Sequence, residues 1–91
     1  MNAERGDASA AIRDENERAR KAQLLADLTC ALLSQTRNLS LEEGLAIIAR
    51  AREGVLRLFP DREPVFNLLY RPRFLRILAE RLQKEKTDIN P

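Results

Sequence analysis

The chain has no histidine and no tryptophan, a single cysteine, and only three phenylalanines and one tyrosine among its 91 residues. Without histidine it lacks the side chain that most often moves protons near neutral pH and most often ligates transition metals. Serine nucleophiles have no imidazole to activate them: Ser34 stands alone, and Ser40 is better used as a helix cap. Cys30 permits no disulfide within the chain and no cysteine-based metal site. It lies in an apolar helical run, where a reduced, packed thiol is expected. Glycine is scarce too, and positions 6, 44 and 54 are too scattered for a phosphate-binding loop. Glu42 and Glu43 are adjacent, so on a helix they point about 100° apart and make no paired-carboxylate site. These absences point away from an enzyme, and no cofactor or metal is expected.

Long apolar runs are also missing. No stretch approaches the ~18 uninterrupted apolar residues of a membrane span, and the start, Met1 to Asp7, lacks the apolar region of a secretion signal. A cytoplasmic protein without a membrane partner is expected. The net charge of +2 is too small to imply a polyanionic partner by itself. It is unevenly spread. From Arg62 to Lys86 seven basic residues face three acidic ones, whereas residues 24–49 carry Asp27, Glu42 and Glu43 against Arg37 alone.

What the chain does have is helix-forming material. Ala, Leu, Arg and Glu are abundant and β-branched residues few, which favours helix over strand. The expected fold is all-α: one small three-helix bundle over residues 8–86, with helices at about 8–36, 40–59 and 64–86. Residues 1–7 are expected to be a flexible start and 87–91 a mobile tail. In the first helix, Leu24, Leu25, Leu28 and Leu32 share one face and are expected to point inward. The opposite side carries Ala19, Ala22, Ala26, Cys30 and Leu33. Those groups are small enough to admit a second helix closely, and they form the candidate partner interface.

Thr36-Arg37-Asn38-Leu39 reads as a turn in which Asn38 tolerates left-handed angles. Ser40-Leu-Glu-Glu43 then reads as a capping box that starts the second helix, and Phe59-Pro60 stops it. This helix has a broad apolar face centred on Leu41, Leu45, Ile48, Val55, Leu56 and Phe59, more than one antiparallel neighbour would cover. Arg52 projects into that face and needs a carboxylate or water, and antiparallel register nominates Asp27 as its ion-pair partner. Gly54 has no evident reason to interrupt the helix.

Pro64 suits the first turn of a third helix, and Pro72 interrupts it, so a kink or restart is expected around Arg71. Phe74, Leu75, Leu78 and Leu82 are expected inward. Phe66, Tyr70 and Phe74 recur every four residues between arginines. Core packing is the main reading of those rings. The alternative is a nucleic-acid platform in which Arg62, Tyr70, Arg71, Arg73 and Arg76 contact phosphates and bases. A helix-turn-helix is disfavoured because Pro72 would break the recognition helix. Surplus apolar surface on so small a chain argues for a partner, commonly a second copy. The expected function is therefore a non-enzymatic helical interaction or assembly module, a homodimer or a binder of another protein, with nucleic-acid regulation as the alternative.

Overall fold

A computed structural model describes residues 2–89, with side chains described over residues 9–84. Five helical pieces follow one another: α1 (Asn2–Gln35), α2 (Leu41–Leu58), a short α3 (Glu63–Val65), a π-helical turn (Phe66–Tyr70) and α4 (Arg71–Ile89). The last three run on without a break, so the fold is a three-helix bundle with no strand among the described residues. Helix begins at Asn2 rather than near residue 8 and continues through Ile89 rather than stopping at 86. Met1, Asn90 and Pro91 lie outside the described residues.

The turns follow the sequence closely. Asn38 takes the left-handed conformation with φ of 53°, where a short polar side chain is tolerated. The Ser40 hydroxyl accepts from the Glu43 amide at 3.0 Å, and the Glu43 carboxylate accepts from the Ser40 amide at 3.3 Å. Two donors at the start of α2 that have no partner in the helix are satisfied in this way. Leu39, just before the cap, is buried in the core. At the other end the Phe59 amide still reaches the Val55 carbonyl at 2.8 Å before Pro60 ends α2.

The bundle closes on small residues. Ala22, Ala26, Thr29 and Leu33 form the buried face of α1, and Gly44, Ile48, Ala51 and Val55 that of α2. The two sets share the spacing i, i+4, i+7, i+11, one stripe of an α-helix. Thr29 is the buried polar member, and its hydroxyl donates to the Leu25 carbonyl at 2.7 Å. Phe66, Phe74 and Leu78 fill the space from the third segment. Gly44 is explained by contact: a methyl group there would meet the tip of Leu78 at 2.3 Å. Gly54 is explained likewise, because Leu25 Cδ2 lies 2.5 Å from where its Cβ would be.

Pro72 does not break the third helix. One extra residue is taken into the turn before it, and the Arg71 amide donates five residues back to the Phe66 carbonyl. Such turns are uncommon and absorb a local misfit without ending the helix. The widened turn also corrects the register. At 100° per residue Phe66 and Leu78, twelve apart, would sit about 120° from each other on a regular helix. Accommodating one residue makes the step effectively eleven, about three turns, and both side chains face the core.

Candidate interaction surfaces

The structure reverses the two faces expected for α1. Ala22, Ala26 and Leu33 are buried inside the bundle, Ala26 with 1% of its surface exposed and Leu33 with none. Cys30 packs half-buried against the same cluster, and Ala19, nearer the amino end, is exposed. These small residues therefore admit α2 and α4 of the same chain, not a partner. The leucines expected inside are outside: Leu24, Leu28 and Leu32 are 61%, 56% and 42% exposed, in a line along α1. Only Leu25 of that set turns far enough to pack on the core. Close approach decided the face, because alanines let the axes come together where leucines would hold them apart.

A second uncovered surface lies between α2 and α4. Leu41, Leu45 and Leu75, expected in the core, are exposed. Leu45 and Leu75 border a groove of about 280 Å³ whose lining also includes Ala49, Arg52 and Arg71. Arg52 does not reach Asp27. It pairs with Glu63 at the start of α3, while the Asp27 carboxylate accepts from the Gln23 amide at 3.1 Å. Both members of the Arg52–Glu63 pair are about half exposed, so water screens it and its contribution to stability is small.

The arginine-rich segment is not gathered into one face. Arg71 borders the α2/α4 groove, whereas Arg62 and Tyr70 line a cavity on the α1 side together with Ala22 and Val55. Arg62 also stands over the Phe59 ring at 5.2 Å, with Arg18 5.9 Å from the same ring. The aromatics stack on one another: Tyr70 lies 6.0 Å from Phe66 and 6.2 Å from Phe74. Phe66 and Phe74 are buried, so their faces are used in the core and are not offered to bases. Arg73 and Arg76 are exposed and have no ion pair among the described residues.

One arginine that ties the fold together carries no signature in the spacing of its own helix. Arg81 of α4 donates to the carbonyls of Leu33 at 3.1 Å and Ser34 at 2.8 Å, and to that of Thr36. The last carbonyls of α1 have no helical partner, and its own last turn holds no basic residue. That missing charge was the available signal. The guanidinium from α4 supplies both the donors and the positive charge that a helix carboxyl end favours.

Among the described residues no group of acidic or cysteine side chains is arranged to hold a metal, and no helix is long and apolar enough to cross a membrane. Comparison with protein-family models, curated proteins and solved structures finds no match. The site is therefore read from its own geometry: an outer leucine stripe on α1, and a groove with an apolar floor and a cationic end between α2 and α4.

Proposed function

We propose that the chain is a non-enzymatic helical interaction module that self-associates through the outer face of α1. The observation that supports this reading is the line of Leu24, Leu28 and Leu32, whose exposure on a chain of this size leaves a contiguous apolar stripe against water. A stripe at spacing i, i+4, i+8 is its own complement about a two-fold axis. With α1 antiparallel to its copy and Leu28 on the axis, Leu24 meets Leu32 and the half-buried Leu25 meets Ala31. Apolar contact of that kind is largely insensitive to salt.

The test is the mass of the purified chain in sedimentation equilibrium. The parent should be a dimer, and Leu28→Arg a folded monomer with unchanged far-ultraviolet circular dichroism, because Leu28 is 56% exposed and lies outside the buried core. A parent that is monomeric at every concentration, or a Leu28→Arg variant that dimerises like the parent, removes this face from the proposal. Ala26→Arg is not an equivalent probe, since it would place a guanidinium in the core and unfold the chain.

Phosphate binding by Arg71, Arg73 and Arg76 is the competing reading, favoured by their exposure. Its mark is a steep loss of affinity with salt as counterions are released. An Arg71/Arg73/Arg76 triple alanine variant that retains nucleic acid as well as the parent would dispose of it.

A further inference from the structure

The groove between α2 and α4 is separate from the outer stripe of α1 and has its own chemistry. Buried Ile48 and Phe66 form its floor. Leu45 and Leu75 stand along its sides, and Leu41, exposed one turn before Leu45, prolongs the α2 side. Ala49 lies between Leu45 and Arg52 in the lining, so the α2 side falls to a single methyl group at its middle. Arg52 and Arg71 stand at the end nearer the Phe59–Glu63 turn.

Three properties of this groove define its occupant. From Leu45 to Arg52 the α2 side of the lining extends about 10 Å, the length of two helical turns. The low point at Ala49 lets a backbone come close, as small residues do wherever helices pack. Every wall is helical, so no strand edge is offered to an extended peptide, and an amphipathic helix is the element that fits. Charge then selects among helices. Arg71 has no ion pair among the described residues, and Arg52 has only the half-exposed Glu63. Both guanidiniums stand beside apolar surface yet reach water, so they select an occupant by the sign of its charge more than they add to its affinity.

The π turn builds that cationic end. In a regular α-helix a step of five residues goes about 140° around the axis, which would carry position 71 away from Phe66. The five-residue hydrogen bond from Arg71 to Phe66 instead sets Arg71 one wide turn above the floor residue. Wide turns of this type occur often at functional sites.

We infer that this groove docks an amphipathic helix of another protein, apolar at i, i+3, i+4 and i+7 and carrying carboxylates beside the end that meets Arg52 and Arg71. Two labelled synthetic helices test it by fluorescence anisotropy: leucines at those four positions flanked by glutamates, and the same peptide flanked by lysines. The full chain carrying Leu28→Arg is used, so that the result does not depend on self-association through α1. The glutamate peptide should bind saturably and its lysine twin about tenfold or more weaker. Arg71→Glu should invert that preference. Ala49→Leu, at an exposed position, should fill the groove and abolish binding while circular dichroism stays that of the parent. Equal binding of the two peptides, or undiminished binding to Ala49→Leu, overturns the proposal. So does displacement of the probe by a single-stranded oligonucleotide. Displacement by a peptide of residues 2–17 would instead assign the groove to a second copy of this chain and equally overturn a foreign helix.

Discussion

Two glycines in the same helix are predicted to behave oppositely when given a methyl group. At Gly44 the new carbon would lie 2.3 and 2.7 Å from the two methyls of Leu78, a side chain that is itself packed in the core. Overpacking of that kind outweighs the gain of about 1 kcal/mol in helix propensity, so Gly44→Ala should lose about 1–3 kcal/mol. At Gly54 the one hard contact is a single methyl of Leu25, which is only half-buried. Leu25 turns aside, and Gly54→Ala should be neutral or gain up to about 1 kcal/mol. Urea midpoints of the two variants decide the matter, and a common direction would contradict it. Arg81→Met keeps most of the aliphatic stem and removes the guanidinium donors to the end of α1. With carbonyls of Leu33, Ser34 and Thr36 losing a charged donor, about 1–3 kcal/mol should go. An unchanged midpoint would mean that water replaces the guanidinium at no cost.

At the scale of the element, the π turn and Pro72 form one device, and deletion tests it. Removing the exposed Leu69 returns Phe66 to regular helical register with Phe74, but it puts Pro72 inside an unrelieved helix at about 3 kcal/mol or more. Deletion of Leu69 alone should therefore lower the melting temperature sharply, and adding Pro72→Ala should restore most of it. If the double change melts no higher than the deletion, the widened turn serves something other than the proline. Elements of this kind were legible in the sequence wherever one residue settles local geometry: Asn38, the Ser40–Glu43 box, the Phe59-Pro60 stop and Pro64 all act within a turn of themselves. The facing of α1 was not, because two faces were both apolar enough to bury. Leucine content favours one and close approach the other, and the outcome depends on the glycine and alanine of α2 opposite. Pairing of Arg52 failed for a related reason. Register pointed across the bundle to Asp27, while the chain returns Glu63 to the same end through a four-residue turn. Phe66 and Phe74 are core as their four-residue recurrence suggested, but the π turn that brings Phe66 into line with Leu78 left no mark in that spacing.

The whole molecule is drawn out along α1. Its principal extents are 71 × 21 × 16 Å and its radius of gyration is 17.6 Å, against about 12 Å for a compact chain of this length. Residues 9–17 of α1 are all exposed, Ile12 among them, and one ion pair, Asp14 with Arg18, braces them. Small-angle scattering of the Leu28→Arg monomer should return a radius near 17.6 Å. A value near 12 Å would mean that the amino-terminal half of α1 folds back on the bundle. The guanidinium of Arg81 also sets the order in which this shape is reached. The α1–α2 pair is joined by a short turn and closes quickly, whereas the bonds from Arg81 span 45 to 48 positions of the chain. Closing so long a loop is entropically late. The order expected from chain topology is a hairpin of the first two helices on which the third segment docks, with the Arg81 contacts made on the native side of the folding barrier. Arg81→Met should then hasten unfolding and leave the refolding rate nearly untouched, as the two arms of a urea chevron would show.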